Sequence, residues 1–574
     1  MKITPAVLAS VLAAFLATSF AGAIQAQVAK DQVDARPLPH LVKQDGRFAL
    51  FVDDAPYLML GAQVENTASW PAMLPKVWPA MEYLHVNTVE MPVYWEQFEP
   101  QPGKYDYTMV DSLLKEARQH EVRLVLLWFG TYKDGSQHYM PEWMKLDLVR
   151  YPHMVDRDGQ AVDSPSPFAA ASLDADKSAF AALMQRLKET DPQRTVIMVQ
   201  VENEAGSWDS VRDFSPAAQK LFDAPVPPEI LSAMRVKTDS PSPNWQQAFG
   251  LDADEYFHAW SVAKYVGQVA AAGKAVYPLP MYANAALRDP LHPGAPGRPG
   301  VPDNYESGGP TDNVLSIWKV AAPALDLLAP DNYQTDPDAY LKVLELYHRD
   351  DNALFLPETG RPFNARFFFS VLGYQAIGFS PSGSNTEGEF PLTEASKARE
   401  EFLEPWAKNY RLIGPMQREI ARLNFEGKLQ AVAEEKGKAM QTMPFGSWKA
   451  EVSYGPRRGG ASAAEVKAEP RGRALVAQLS ENQFLVTGYY CRVDFRPAGS
   501  EQQRKSGQIV DGSGQNPSAL IDGKWQHRLF LRVEEGRYEN GVFKFLRIWN
   551  GDETDWGLRF DEEPVVLRVT LATY

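Results

Sequence analysis

The residues in this sequence most suited to chemistry are glutamates that directly follow apolar runs. The run 195–201 is β-branched and apolar and leads into Glu202-Asn203-Glu204, while a second run, 354–357, leads into Glu358. Burying a carboxylate behind such a run is costly unless the group is paired or hydrogen-bonded. Two carboxyls that face each other about 5–5.5 Å apart can carry out retaining glycoside hydrolysis, in which one protonates the leaving oxygen and the other attacks the anomeric carbon. Their mutual repulsion would hold one of them protonated near neutral pH, as a general acid requires.

The segments that must position these glutamates alternate between short apolar runs and longer amphipathic stretches. The predicted strands are 58–63, 88–94, 123–129, 195–204, 275–283, 325–333, 354–358 and 376–380. Helical periodicity is clear in 107–119, 340–348 and 367–371. This alternation predicts an α/β fold, a (β/α)8 TIM barrel, in which the strand ends converge on one face. Glu204 and Glu358 should then face each other across the mouth.

An alternative architecture, a doubly wound open sheet, usually has a glycine-rich first turn, and the sequence has none. The stretches 206–243 and 288–313 are too long and proline-rich for simple connections, and we expect them to lie over the active face of the barrel.

Changes in composition and hydrophobic periodicity along the chain predict three regions. Residues 1–26 have the pattern of a signal peptide, with Lys2 before an apolar stretch and small residues for cleavage after Ala23 or Ala26. Residues 27–415 would form the catalytic barrel with an N-terminal hairpin, closed by a helix over 398–412 that is broken or kinked at Pro405. Residues 416–574 read as a β-rich accessory region, which we interpret as structural support. The mature protein is expected to be exported, to the periplasm or beyond.

Composition restricts the partners. The formal charge of −15 and the lack of any basic run argue against nucleic acid and anionic membranes. The single cysteine, Cys491, excludes an internal disulfide and a cysteine-based zinc site. No metal-binding histidine motif, serine elbow or phosphate loop is present, so neither a metal nor a cofactor is expected. The predicted partner is an oligosaccharide, and the oligomeric state stays open.

Two motifs carry a resemblance to a known family. Gln200-Val201-Glu202-Asn203-Glu204-x-Gly206-Ser207 resembles the acid/base motif of the β-galactosidases of glycoside hydrolase family 35. The stretch 94–107, with its Trp-x-x-x-Glu-Pro core, resembles the element after strand two in families 35 and 42. The resemblance covers residues 47–415 and implies a retaining barrel glycosidase, with Glu204 as the acid/base, Glu358 as the nucleophile and Asn203 on the sugar's 2-hydroxyl.

Three departures from the family 35 pattern concern sugar recognition rather than the reaction. Ala205 stands where the family usually has an aromatic residue, the first strand continues as 61–66 without a His-Tyr-x-Arg pattern, and 127–132 lacks the Cys-Ala-Glu segment. The reaction class is therefore better supported than the choice of galactose.

Further candidates follow from position at strand ends. With a period of two, Glu202 shares a strand face with Glu204 and is interpreted as a deeper residue that orients its neighbours. Glu99, before Pro100, is interpreted as structural. Other residues at or after the strand ends are predicted to contact a sugar, the aromatic ones by stacking on a pyranose face. These residues are Tyr94, Trp95, Trp128, Asn332, Tyr333 and Trp208.

The sequence thus predicts an exported retaining exo-β-galactosidase that removes terminal galactose from plant oligosaccharides, with xyloglucan side chains suggested by the resemblance. One alternative keeps the mechanism and changes the sugar to a β-glucoside, β-glucosaminide or arabinoside. Another is a carbohydrate-binding protein on an inactive barrel, and the presence of both Glu204 and Glu358 argues against it.

Overall fold

A computed structural model describes residues 36–292, 305–360, 362–384, 395–454, 470–498, 519–521, 524–526, 528–554 and 557–573. The predicted signal peptide, residues 1–26, lies outside these ranges. Among the described residues, no helix combines the length and the apolar character that are needed to cross a membrane.

Eight parallel strands form a closed barrel, as the sequence predicted. In barrel order these strands are Met59–Gln63, Thr88–Tyr94, Arg123–Lys133, Val196–Asn203, Met281–Ala286, Leu327–Asn332, Leu356–Thr359 and Gly378–Pro381. Closure comes from strand eight pairing with strand one, where Gly378 lies opposite Met59. The strands are almost continuously apolar because each is covered by the barrel interior on one face and by helices on the other.

The helices surround the barrel and bridge its loops. They are Leu74–Leu84, Trp95–Phe98, Thr108–Gln119, Glu142–Lys145, Ala170–Thr190, Pro216–Phe222, Pro228–Ala233, Trp245–Phe249, Ala253–Val276, Leu315–Ala321, Pro337–Tyr347, Phe368–Gly373, Ala395–Ile413 and Gln417–Phe425. Short 3₁₀ turns lie at Gly250–Asp252, Pro362–Phe367, Gly414–Met416 and Gly551–Glu553.

Local sequence explains where these helices begin and which face they bury. Helix Pro337–Tyr347 starts with proline at its first position, and the Asp336 side chain accepts hydrogen bonds from the amides of Asp338 and Ala339. In helix Thr108–Gln119 the buried side chains recur every three or four residues, so one face packs on the barrel.

Two predicted boundaries are wrong. Strand five begins at Met281 rather than at residue 275, because the long helix Ala253–Val276 occupies the start of that apolar run. An apolar run alone does not distinguish a buried helix end from a strand. The helix Ala395–Ile413 passes through Pro405 without interruption, so the predicted break is absent.

Outside the barrel the chain forms small antiparallel sheets. The N-terminal sheet has three strands rather than the two of a hairpin, His40–Gln44, Arg47–Val52 and Ala55–Tyr57. His153–Val155 pairs with Ala161–Pro165 in the loop after strand three.

The C-terminal region is built of β-sheets, as predicted, although the unpredicted helix Gln417–Phe425 precedes them. A six-stranded sheet contains, in spatial order, Leu429–Ala433, Arg473–Ser480, Gln483–Tyr489, Val566–Thr573, Arg528–Glu539 and Val542–Trp549. A four-stranded sheet contains Met440–Phe445, Trp448–Ser453, Cys491–Pro497 and Leu558–Phe560. Ala519–Ile521 pairs with Lys524–Gln526. The apolar run around residues 484–495 forms two strands, which are divided at Tyr490, whose φ is 48°.

The six-stranded sheet has apolar contacts on both faces. One face shares a core with the four-stranded sheet, including Phe484 and Phe495, whose ring centroids are 4.8 Å apart. Leu475 and Leu485 belong instead to the core of the barrel and its helices, and the Tyr489 hydroxyl donates to the Lys408 carbonyl at 2.9 Å. The β-rich region is therefore packed directly against the barrel.

The contact between the two longest described helices gives a stability prediction. A β-carbon added at Gly273, in Ala253–Val276, would lie 2.2 Å from a ring carbon of Phe180, in Ala170–Thr190. We expect Gly273→Ala to lower the free energy of unfolding by about 1–3 kcal/mol, because the interface is overpacked. Helix propensity alone would favour alanine by about 1 kcal/mol. The sign of the change in the free energy of unfolding therefore shows which of the two effects is larger.

Chemical denaturation provides the measurement. Gln268→Ala, at an exposed position of the same helix, is the matched control and should change the free energy of unfolding by less than about 0.5 kcal/mol. A more stable Gly273→Ala protein would show that the two helices separate easily.

Candidate active site

Three carboxyl groups meet at the carboxyl ends of the barrel strands. Glu204 directly follows strand four, Asp331 lies near the end of strand six, and Glu358 lies in strand seven. One oxygen from each lies within 4.8 Å of one oxygen from each of the others. The two glutamates selected from the sequence therefore do come together, and an aspartate that was not selected joins them.

Glu358 is fixed by hydrogen-bond donors from three other strands. Its Oε1 accepts from Gln63 Nε2 at 2.9 Å and from Asn203 Nδ2 at 3.3 Å, and its Oε2 accepts from the Tyr333 hydroxyl at 2.9 Å. Donors on both oxygens set the orientation of the carboxylate. This is the environment that a nucleophilic carboxylate requires.

The backbone around Glu204 departs from strand geometry. Glu202 has φ 64° and Glu204 has φ 42°, both in the left-handed region, where a residue other than glycine costs about 1–3 kcal/mol. The Glu204 amide donates to Asn284 Oδ1 at 3.0 Å, which holds this turn against strand five. The strain is thus concentrated at the residue that faces Glu358.

Further charged groups lie beside Glu204. Its carboxyl hydrogen-bonds to that of Asp134, and the Lys133 ammonium contacts Asp134 at the end of strand three. Removal from solvent and the neighbouring Glu358 raise the pKa of Glu204 well above its usual range, and Lys133 only partly opposes this. Glu204 is therefore the protonated member of the pair near neutral pH, which suits a general acid.

Glu306 is another carboxyl in this region and was not predicted. Its side chain is buried, and neither of its oxygens has a hydrogen-bond partner among the described residues. A β-carbon at Gly135 would lie 2.3 Å from Glu306 Oε1, and one at Gly206 would lie 2.9 Å from Glu306 Cγ. Burial and the nearby Glu204 raise the pKa of Glu306 well above its usual range, so it is held neutral.

Glu202 points away from this cluster, to the layer between the barrel and its helices. Its Oε2 accepts from the Tyr132 amide at 2.7 Å, and it shares a hydrogen bond with Asp176, in helix Ala170–Thr190. Asp176 in turn accepts from Trp128 Nε1 at 2.9 Å and from the Thr131 hydroxyl at 2.6 Å. The left-handed φ of Glu202 breaks the period-two alternation that placed it beside Glu204. Glu202 therefore orients its neighbours, and it does not reach the position of the substrate.

Three aromatic residues predicted to contact a sugar are buried instead. The Tyr94 hydroxyl accepts from the Ser69 amide at 3.0 Å, and Trp95 Nε1 donates to Glu99 Oε2 at 2.8 Å, with Trp128 bound to Asp176 as described. All three are at most 1% exposed. These predictions are corrected: the rings pack between strand ends and helices, where sugar cannot reach them.

The other predicted contacts divide in the same way. Asn332 is buried and donates to the Tyr340 carbonyl at 3.2 Å, so it supports the loop after strand six and not a ligand. Tyr333 and Trp208 are each 44% exposed, and Tyr333 also binds Glu358. Glu99 accepts from Trp95 and from the Gly103 amide, which agrees with its structural interpretation.

Several site residues were missed by sequence reasoning. Gln63, Asn284 and Asp331 are polar residues at the ends of barrel strands, so the rule that selected Glu204 would also have found them. Lys133 is the last residue of strand three, but the strand was predicted to end at residue 129, so the rule did not reach it. Asp134 and Glu306 lie outside the strands and carry no such signal.

Among the described residues, the only group of three or more potential metal-ligating side chains is the carboxyl cluster of Glu204, Asp331 and Glu358. The Lys133 ammonium supplies positive charge beside it, and Asn284 Nδ2 donates to Asp331 Oδ2 at 2.7 Å. We therefore assign this cluster to proton sharing rather than to metal binding.

The buried Glu202–Asp176 pair predicts a pH dependence of stability. Burial, followed by the nearby Asp176, raises the pKa of Glu202 well above its usual 4.5, so the folded protein retains a proton that the unfolded chain releases. Stability should therefore fall as pH rises above about 4.5. In Glu202→Gln the amide can donate to Asp176 permanently, and we expect a shallower fall.

Thermal unfolding between about pH 5 and 9 measures this slope. Glu229→Gln, which removes an exposed carboxylate, is the control and should keep the wild-type slope. A parallel curve for Glu202→Gln would mean that the pair carries no extra proton in the folded state.

Two family models match parts of the chain. Residues 68–268 match Glyco_hydro_42, described as beta-galactosidase, and residues 406–561 match DUF5597, a domain of unknown function. None of the curated proteins compared with the chain matches it.

Solved structures with similar folds include glycoside hydrolases. A β-galactosidase from Bacillus circulans sp. alkalophilus is 14% identical, with a TM-score of 0.45, over 63% of this chain and 57% of that one. A family 42 β-galactosidase from G. stearothermophilus is 13% identical, with a TM-score of 0.44, over 64% and 58%. The catalytic domain of a β-amylase from Paenibacillus polymyxa is 12% identical, with a TM-score of 0.42, over 60% and 97%.

The aligned region spans a little over half the length of the two β-galactosidases. Similarity at this level is no evidence for a shared substrate. The family model that matches is that of family 42, so the predicted membership of family 35 is not supported. What the match supports is a broader statement: residues 68–268 are similar to a β-galactosidase family of glycoside hydrolases.

Proposed function

We propose that this protein is a retaining exo-β-galactosidase, in which Glu204 is the acid/base and Glu358 the nucleophile. The observation that carries the proposal is the distance between the two carboxyls, which bring oxygens within 4.8 Å of each other. Retaining enzymes have about 5–5.5 Å between the carboxyl groups, whereas inverting enzymes leave about 6.5–9.5 Å for a water molecule.

The surroundings support the division of roles. Glu358 receives hydrogen bonds on both oxygens and can attack the anomeric carbon as a carboxylate. Glu204 holds a proton that it can give to the glycosidic oxygen as the bond to the leaving group breaks. In the second step, Glu204 takes a proton from water, and the oxygen of that water displaces Glu358 from the anomeric carbon.

Asn203 has the geometry to assist both steps. Its Nδ2 lies 3.3 Å from Glu358 Oε1, beside the position of the anomeric centre in the proposed mechanism. Its Oδ1 is buried without a described partner. A sugar 2-hydroxyl bound there would strengthen its hydrogen bonds as charge develops on the ring.

Substrate choice rests on weaker support than the reaction. Galactose is favoured by the β-galactosidase model that matches residues 68–268. Xyloglucan-derived oligosaccharides as the substrate, and export to the periplasm or outside the cell, are proposals from sequence alone. Tyr333 and Trp208 are the predicted aromatic residues that have surface free to contact a sugar.

A panel of aryl β-glycosides tests the proposal with wild type, Glu204→Ala and Glu358→Ala. The panel should contain β-galactoside, β-glucoside, β-glucosaminide and arabinoside, and we expect wild type to prefer the galactoside. For substrates with a poor leaving group, Glu204→Ala should reduce kcat/KM by about 10²–10⁴-fold, because the general acid is lost.

Azide distinguishes the two carboxyls. It should rescue Glu358→Ala with formation of an inverted glycosyl azide, and Glu204→Ala with formation of a retained one. Glu229→Ala, exposed and distant in role, is the expression and folding control. Absence of turnover of every glycoside by wild type would disprove the enzyme proposal, and an inverted product from wild type would disprove the retaining mechanism.

The Tyr333–Glu358 hydrogen bond gives a separate prediction. Tyr333→Phe removes a 2.9 Å hydrogen bond to the charged Oε2 while the ring is kept. A hydrogen bond to a charged group contributes about 1.5–3 kcal/mol, so kcat should fall by about 10–100-fold.

The split between kcat and KM identifies the cause. A fall in kcat with KM little changed indicates a misplaced nucleophile, whereas a rise in KM alone would assign Tyr333 to substrate binding. Tyr139→Phe is the matched control. It also removes a tyrosine hydroxyl, but that hydroxyl has no described hydrogen bond to Glu358.

A further inference from the structure

The carboxyl of Asp331 occupies a place in the site that the two-carboxylate mechanism does not use. Asp331 lies opposite Glu358 in the register of strands six and seven. Its Oδ2 accepts from Asn284 Nδ2 at 2.7 Å. Its Oδ1 is buried, and no hydrogen-bond partner of this atom is found among the described residues.

The carboxyl of Glu204 has an oxygen within 4.8 Å of an oxygen of Asp331. Asp331 and Glu204 form a side-chain hydrogen bond, and Glu204 is also bonded to Asp134. Two carboxyls in hydrogen-bond contact must share a proton, because neither has a hydrogen when both are ionised. Asp134 forms an ion pair with Lys133, whereas no ion pair of Asp331 is found in the part of the chain that the structure describes.

The side chain of Asn284 binds both Glu204 and Asp331. Its Oδ1 accepts from the Glu204 amide, so its Nδ2 must face the carboxyls. Asp331 Oδ2 accepts from that amide group, and Asp331 Oδ1 has no described donor. The Asn284 amide therefore binds the backbone of Glu204 directly and reaches the Glu204 side chain through the carboxyl of Asp331.

We propose that Asp331 is a positioning residue that shares a proton with Glu204. Sharing keeps the acid/base protonated up to a higher pH than a glutamate that had only Glu358 beside it. The inference rests on the proposed function and deepens it. When Glu204 gives the shared proton to the leaving oxygen, both carboxyls are left ionised until the second step. Water later returns a proton to Glu204, so Asp331 itself forms and breaks no covalent bond.

Groups from every surrounding element contribute to this titration. Strand seven supplies Glu358, the end of strand three supplies the Lys133–Asp134 pair, and burial followed by Glu358 raises the pKa of Asp331 well above its usual range. The other titratable groups facing the cluster are Tyr282, Glu306, Tyr333, Tyr347 and, beyond Asp134, His138.

The test is the pH profile of kcat/KM for Asp331→Asn, measured with an aryl β-galactoside on the full chain. The new Nδ2 can donate permanently to the ionised Glu204, and the second carboxyl that shared the proton is gone. We expect the alkaline limb, which reports loss of the proton from the free enzyme's acid, to move to lower pH by about one unit or more. The acid limb, which reports ionisation of the nucleophile, should move less.

Asp338→Asn is the matched control, since it removes an exposed carboxylate seven positions away and changes net charge equally. Its profile should coincide with that of wild type. If Asp331→Asn lowers kcat/KM by the same factor at every pH, Asp331 has only a structural or substrate-binding role and the inference is wrong.

Carboxyl titration by ¹³C NMR tests proton sharing without turnover. In wild type, Asp331 should hold its last proton above the ordinary aspartate range, and in Glu204→Gln its titration should move down. Identical titration of Asp331 in the two proteins would overturn the inference even if the galactosidase is active. Conversely, a moved titration in a protein that hydrolyses no glycoside would leave the proton sharing intact and refute the proposed function.

Discussion

The charge balance at the mouth of the barrel is the constraint on which the rest of the site depends. Five carboxyls, those of Asp134, Glu204, Glu306, Asp331 and Glu358, lie in one neighbourhood with the ammonium of Lys133. Such a group cannot be fully ionised away from water, because like charges in a low dielectric repel strongly. Neutral donors surround Glu358, and Asp134 pairs with Lys133. Glu306 is held neutral, and in the arrangement that we propose Glu204 and Asp331 share a proton. The acid and nucleophile roles are consequences of that distribution.

The structure holds these groups in place with polar side chains rather than with cations. Gln63, Asn203 and Tyr333 donate to Glu358, and Asn284 connects the Glu204 backbone to Asp331. Neutral donors orient a carboxylate without stabilising it as strongly as a guanidinium would, so its nucleophilic character is preserved. A second buried pair, Glu202 and Asp176, lies between the strands and the helices, where the two carboxyls also share a hydrogen bond.

Close approach of loops completes the site. Gly135 and Gly206 lie against Glu306 at distances that leave no room for a side chain, which brings the loops after strands three and four and the segment around residue 306 together. The β-rich region packs on the barrel through its six-stranded sheet, and the site residues described here all come from the barrel strands and their loops. The interpretation of this region as structural support stays a prediction.

The sequence by itself determined the barrel, the strands that carry Glu204 and Glu358, and the expectation that these two residues meet. It could do so because parallel buried strands leave a clear apolar signal, and a polar residue at the end of such a strand has few reasons to be there. Tertiary structure alone decided the direction of Glu202, since a left-handed φ cancels the alternation on which strand reasoning depends. It also decided that Trp95 and Trp128 are buried by helices, and that Asp134 and Glu306 reach Glu204 through loop packing. Contacts between residues far apart in the chain fix those positions, and no local pattern of residue types encodes them.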